Sequence, residues 1–156
     1  MPDLKENLIQ SAKQVISKMG FGCDVEVADN EQPIKLVAIS VSSEDSGFLI
    51  GKNGCNLESL EHVMKILVNK NSDAPRANFI VDINNYRKTK TSQLIAQAKI
   101  IAERVIQTMK SEALEPMSSY ERKLIHLELA SYNNISTESI GDEPRRRVVV
   151  KPLIIS

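Results

Sequence analysis

Two clusters of residues in this chain have the types and spacing to hold an anionic polymer, and neither has the make-up of a catalytic centre. The first is Gly51-Lys52-Asn53-Gly54, which follows the apolar end of a short helical segment at Leu49-Ile50 and precedes a new helix at Cys55-Asn56-Leu57. Glycines without a Cβ let a sugar-phosphate backbone approach closely and tolerate left-handed backbone. The first amides of the following helix are predicted to point outward unpaired and to favour an anion, and Lys52 adds a point charge. The second cluster is Arg122 and His126, four apart and so on the same face of a helix, together with Arg145, Arg147 and Lys151 on a later strand. Arg122 can fork to a phosphate, and His126 can donate to phosphate or stack on a base. Alternation along the strand predicts Lys151 on the face of Arg145 and Arg147, and lets at most two of the three arginines 145–147 share a surface with Arg122.

Each cluster has a plainer reading. A bare Gly-x-x-Gly is also a tight helix–helix turn, an Arg/His pair four apart also serves as a helix-stabilising surface pair, and most charge runs are solvated faces. Enzymatic readings fare worse. Gly47-Phe48-Leu49-Ile50-Gly51-Lys52-Asn53 superficially resembles a phosphate-binding loop of nucleotide hydrolases. Its glycines are three residues apart instead of four, however, and Asn53 stands where a Mg²⁺-binding Ser or Thr is needed. A nucleophile at Cys55 has no base in reach, because His62 lies about two turns further along the helix. Cys23 and Cys55 are far apart with no zinc-ligand spacing, and there are no paired carboxylates of catalytic spacing. We expect no catalysis, no metal, no cofactor and no small-molecule substrate.

The elements that must position these residues are legible from periodicity. A helix-like segment runs from Leu4 to Met19, followed by strand-like runs Cys23 to Ala28 and Ile34 to Val41. The helix after the Gly-x-x-Gly turn shows Leu57, Leu60, Glu61, Met64, Leu67 and Val68 on one face. Ala77, Phe79, Val81 and Ile83 then alternate as a strand. Asn84-Asn85 leads directly into a long helix from Tyr86, which is predicted to bury Leu94, Ile95, Ala98, Ile101, Ala102, Val105, Ile106 and Met109 and to present Arg87, Lys88, Lys90, Lys99 and Arg104 on its other face. So short a join predicts one rigid body of two modules. Next come a short extended segment at Ala113 to Met117, a capping box of Ser118 and Glu121, and a helix with Leu124, Leu127 and Ala130 facing inward. A turn at Gly141-Asp142-Glu143-Pro144 opens a final β-branched strand from Arg145 to Pro152.

The order helix–strand–strand–helix–turn–helix–strand resembles the type II KH fold, and its turn sits where KH domains clamp nucleic acid. The phrase Tyr120-Glu121-Arg122-Lys123-Leu124-Ile125-His126, followed by Thr137 to Pro152, resembles the R-three-H domain, a single-strand-binding module named for its Arg and His. The two together, with Val81 to Arg87 at the join, resemble the Jag family of SpoIIIJ-associated proteins over essentially the whole chain. The resemblance implies an α+β protein in which a type II KH domain (α-β-β-α-α-β, residues 1–84) is joined to a small R-three-H-like α/β domain (residues 85–156). It further implies single-stranded RNA as the partner, with single-stranded DNA as an alternative. A small single-KH protein is a second implied partner, and the implied role is bacterial post-transcriptional control or RNA chaperoning linked to cell-envelope growth. Many members carry a further N-terminal domain that this sequence does not show, and Thr89-Lys90-Thr91 is less basic than the family's usual stretch there.

Composition agrees with that class. The chain has 156 residues, 42% of them hydrophobic, with zero net charge. Residues 1–83 hold 8 basic against 12 acidic side chains and residues 84–156 hold 12 against 8, so positive charge gathers in the second half. With three Phe, three Tyr and no Trp, base stacking of about 1–3 kcal/mol per base cannot dominate. Recognition would rest on phosphate contacts, hydrogen bonds and an apolar groove floored by Ile39, Ile50 and Leu57. No secretory signal and no apolar run of membrane-spanning length is present, which with reduced cysteines predicts a cytoplasmic protein without membrane insertion. The rival reading is a protein-interaction module that uses the same fold without RNA.

Overall fold

The computed structural model describes residues 3–29, 34–70 and 75–154. Two compact units divide the chain, Met1–Arg87 and Lys88–Ser156.

The first unit contains α1 (Leu4–Lys18), β1 (Asp24–Asp29), β2 (Lys35–Ser40), α2 (Ser43–Ile50), a 3-10 turn at Lys52–Gly54, α3 (Cys55–Asn69) and β3 (Phe79–Ile83). Its sheet has the order β1-β2-β3, with β1 antiparallel and β3 parallel to β2. Register stacks Val25 beside Ile39 and Val27 beside Val37, then Val37 beside Val81 and Ile39 beside Ile83. That apolar face packs against Leu8, Ala12 and Ile16 of α1 and Leu57, Leu60, Met64 and Val68 of α3 in one core. Leu57 and Ile39 are thus core residues rather than a groove floor, and of the three expected floor residues Ile50 alone is half-buried. Leu67, expected on the buried face of α3, is 48% exposed.

The edge strand β3 is closed by side chains. Glu61 Oε2 accepts from the Val81 amide at 3.0 Å, and Arg87 Nε donates to the Val81 carbonyl at 2.9 Å. Arg87 Nη2 also donates to Glu61 Oε2 at 2.8 Å, and Lys65 donates to its other oxygen at 2.7 Å. An edge strand exposes unpaired amides and carbonyls, and here one ion-pair cluster satisfies both groups of its central residue. Beyond β3, Asn84 and Asn85 both take left-handed backbone (φ 50° and 56°), which Asn tolerates better than most residues. Asn84 pins the turn by accepting from the Val41 amide at 3.0 Å and donating to the Val41 carbonyl at 3.1 Å.

In the second unit, α4 (Tyr86–Thr108) is followed by β4 (Glu112–Ala113), α5 (Ser119–Leu129), β5 (Ile135–Ile140) and β6 (Arg147–Pro152). The sheet order is β4-β6-β5, all antiparallel. Ala98, Ile101, Ala102 and Val105 of α4 join Ile125 and Leu129 of α5 over Val148 and Val150.

Three sequence expectations need correction in this unit. Met109 lies outside the α4 core, 53% exposed. It follows the end of the helix with φ 55°, donating its amide to the Val105 carbonyl at 2.9 Å as a left-handed C-terminal cap. On α5 the inward residues are Arg122, Ile125 and Leu129, whereas Leu127 is 64% exposed, Ala130 is exposed and Leu124 is half-buried. The helix is therefore rotated by roughly one residue, about 100°, relative to the apolar face read from sequence. Strand β6 begins at Arg147, so Arg145 and Arg146 belong to the preceding turn.

Candidate nucleic-acid interface

Backbone geometry in the first unit makes the Gly-x-x-Gly turn a built feature. Gly51 (φ 72°), Asn53 (φ 54°) and Gly54 (φ 78°) are all left-handed, and the two glycines are required for a further reason. A Cβ on Gly51 would lie 2.6 Å from Asn56 Cγ, and a Cβ on Gly54 would lie 3.0 Å from Tyr86 Cε1. Asn56 is held there by donating to the Phe48 carbonyl at 2.8 Å, which caps the end of α2. The turn is thus braced from one side by Asn56 and from the other by Tyr86, with Lys52 and Asn53 exposed at its tip.

One expectation about this turn changes. The Gly54 amide donates to the Gly51 carbonyl at 3.2 Å, and the Cys55 amide donates to the Lys52 carbonyl. These two amides are engaged within the turn, so they do not form an open anion cradle. The positive groups at the turn are the exposed Lys52 ammonium and the N-terminal end of the 15-residue α3.

In the second unit Arg122 is 7% exposed. Its Nη1 donates to the Met117 carbonyl and its Nη2 to Glu143 Oε1, each at 2.7 Å. The guanidinium ties α5 to the segment before it and to the β5–β6 turn, and both terminal nitrogens are engaged inside the fold. His126 is half-buried with Nδ1 2.6 Å from the Thr137 hydroxyl on β5. Lys151 pairs with Glu138 on the neighbouring strand, and Arg147 Nε reaches the Arg145 carbonyl at 3.4 Å. Arg145 is exposed. Arg146 instead folds back onto the Ser139 hydroxyl at 2.9 Å and the Gly141 carbonyl at 3.0 Å.

Register separates these groups. Val148 and Val150 face the core beneath α5, so Arg147 and Lys151, which alternate with them, lie on the opposite face of the sheet. The structure brings Arg147 and Lys151 onto one surface and does not bring them to Arg122 and His126. Several cations of α4 are also engaged with carboxylates: Lys90 with Glu121 and Lys99 with Glu128 at 2.9 Å, and Arg104 with Glu112 at 2.8 Å. These pairs set part of this half's positive charge against its own carboxylates, a placement that sequence alone does not display, and leave the net excess unchanged.

Asn56, Tyr86 and Thr137 are positioning residues that sequence reasoning missed. Asn56 was legible only as a polar residue beside a glycine turn. Tyr86 and Thr137 are brought in from distant sequence and gave no local signal. Among the described residues no cluster of potential metal ligands occurs, and no helix is long and apolar enough to cross a membrane.

Comparison with known proteins agrees with this architecture. The KH-domain model for KhpA and KhpB matches residues 5–81, and the R-three-H domain model matches residues 92–152. The RNA-binding protein KhpB of Clostridium symbiosum is 37% identical over 148 residues, covering 94% of this chain and 65% of the relative. KhpB of Bacillus subtilis is 36% identical over 148 residues, covering 91% of this chain and 69% of the relative. KhpB of Lactiplantibacillus plantarum is 33% identical over 136 residues, covering 87% of this chain and 41% of the relative. The chain thus spans from two fifths to about two thirds of the length of these relatives. With a KH domain, an R-three-H domain and this level of identity over nearly its whole length, the chain belongs to the KhpB (Jag) family.

Proposed function

We propose that this chain binds single-stranded RNA without catalysing a reaction, and that Gly51, Lys52, Asn53 and Gly54 form its primary contact. The observation that carries the reading is the turn itself: three left-handed residues, two glycines whose missing Cβ atoms are demanded by Asn56 and Tyr86, and a lysine at the exposed tip. Relatives named RNA-binding protein KhpB support it. Secondary contacts come from His126, oriented by Thr137, from the surface of Arg147 and Lys151, and from Arg145 in the turn before it. Arg122 contributes chiefly by holding α5 and the β5–β6 turn in place. Two weak sites in one chain gain through effective concentration when one strand reaches both. Post-transcriptional control or RNA chaperoning in the bacterial cytoplasm, linked to envelope growth and shared with a small single-KH partner, is the cellular role in keeping with the family resemblance.

Titrating fluorescent single-stranded RNA with wild type and with the Lys52→Asp/Asn53→Asp variant at two salt concentrations tests the reading. Salt-sensitive binding that the variant loses is expected. Equal binding by both proteins would move the primary contact to the second unit. One observation favours the rival protein-interaction reading: Val63, Ile66 and Leu67 form an exposed apolar strip on α3, at 45%, 53% and 48% exposure. Failure of wild type to bind RNA at all would turn attention to that strip.

A further inference from the structure

The three Phe and three Tyr of this chain divide by burial. Phe79 lies in the first core, with Phe21 and Tyr86 packed against it, and Tyr132 packs against the second core. Phe48 and Tyr120 stand apart, 72% and 66% exposed. Phe48 is three residues ahead of the Gly-x-x-Gly turn and belongs to the site already described. Tyr120 is the second residue of α5, in the other unit, and its ring is part of neither core.

The neighbours of Tyr120 along α5 suit a nucleic-acid strand. Arg122, Ile125 and Leu129 turn inward, so the opposite face of the helix carries Tyr120, Lys123 and Leu127, three and four residues apart. Leu127 is 64% exposed, and Lys123 is exposed too. Both carboxylates of α5 are drawn off this face towards α4: Glu121 pairs with Lys90 and Glu128 with Lys99, each at 2.9 Å. His126 is turned to Thr137 on β5. Lys123 pairs with no carboxylate among the described residues, and it is the one charge that α5 presents beside the tyrosine.

We propose that this outer face of α5 is a base-stacking site for single-stranded RNA. Tyr120 stacks on one base, Leu127 adds apolar contact, and Lys123 holds a neighbouring phosphate. The inference rests on the RNA-binding reading above and adds to it a site that includes neither the turn nor the arginines. An exposed aromatic ring beside a cation grips a single strand through the face of any base and the charge of its backbone. Protein interfaces also use exposed tyrosines as anchors. A cation without a carboxylate on its face, in a half that holds 12 basic against 8 acidic side chains, favours a polyanion instead.

The test uses the full chain and a labelled single-stranded RNA of about ten nucleotides, within the span such sites cover. Tyr120→Ala should weaken binding roughly tenfold with the salt slope unchanged, because stacking is lost and no phosphate contact is. Tyr120→Phe keeps the ring and should stay within about twofold of wild type. Lys123→Ala should make the salt slope shallower by about 0.7, the equivalent of one phosphate contact on a single strand. A ribose-phosphate strand of the same length without bases should bind wild type and Tyr120→Ala equally, a result that a merely structural role for the ring would not give. The chain has no Trp, so Tyr120→Trp places a single indole at the site, and its emission should be quenched saturably by the RNA. Emission unchanged at saturation overturns the proposal even if Tyr120→Ala fails to fold. Wild-type affinity in Tyr120→Ala also overturns it, leaving the turn's role intact and the α5 face to a protein partner. If wild type binds no RNA, the RNA reading itself fails, and this inference with it.

Discussion

Tyr86 closes on Gly54: a Cβ on that glycine would sit 3.0 Å from Tyr86 Cε1, 3.6 Å from its hydroxyl and 3.7 Å from Cζ. The first residue of α4 is therefore part of the support of the turn proposed to grip RNA. Gly54→Ala faces two costs, a left-handed φ of 78° and the tyrosine ring. The substitution should destabilise the first unit by about 1–3 kcal/mol. In a Tyr86→Ala background the φ cost alone remains, so the penalty should shrink by about 0.5 kcal/mol or more. Denaturant unfolding of the four proteins of this cycle gives the coupling, and strict additivity would show that the ring does not matter.

Glu61 gathers three donors, Lys65, Arg87 and the Val81 amide. Glu61→Ala should cost about 1.5–3 kcal/mol, the range for hydrogen bonds to a charged group. It also uncovers the edge of β3, so concentration-dependent association should accompany the loss. Chemical denaturation and sedimentation velocity read the two effects separately.

Arg122 reads in sequence as a ligand residue and sits in the structure as a brace. Arg122→Lys keeps the charge but cannot reach both the Met117 carbonyl and Glu143 in the same fork. The second unit should lose about 1–3 kcal/mol, visible as a lower thermal midpoint in the absence of RNA. Glu143, whose side chain is 60% exposed, loses less when replaced: Glu143→Gln should cost less than about 1 kcal/mol. An Arg122→Lys protein of unchanged stability that nonetheless binds RNA poorly would return this residue to the binding surface.

Glu121 carries a pH dependence. Burial pushes its carboxyl up, but the Lys90 ammonium and the amide and hydroxyl of Ser118 outweigh burial and hold it below its ordinary value of 4.5. A folded-state value below the unfolded one gives stability that is fully present above 4.5 and is lost as pH falls through the depressed value. Thermal melts should show that loss in wild type and a flatter profile below pH 4.5 in Glu121→Gln, since Gln retains the capping-box geometry without the charge.

Periodicity carried the fold further than it carried the site. Helix and strand order, the capping box of Ser118 and Glu121, and the left-handed need at Gly51 and Gly54 are local properties, written in adjacent residues. The inward face of α5 is not legible in the sequence because a buried arginine occupies one of its positions, which shifts the apparent apolar stripe onto Leu124 and Leu127. Ion pairs such as Lys99 with Glu128 join residues 29 apart and leave no trace in a composition count. Tyr86, 32 residues from Gly54, braces the turn for the same non-local reason.

Whether the turn grips RNA can be read from the amide spectrum of uniformly ¹⁵N-labelled protein during titration with a single-stranded RNA. The largest, saturable shifts are expected at Gly51, Lys52, Asn53 and Gly54, with smaller ones along α3. Shifts confined to the second unit, with the turn unmoved at saturation, would contradict it.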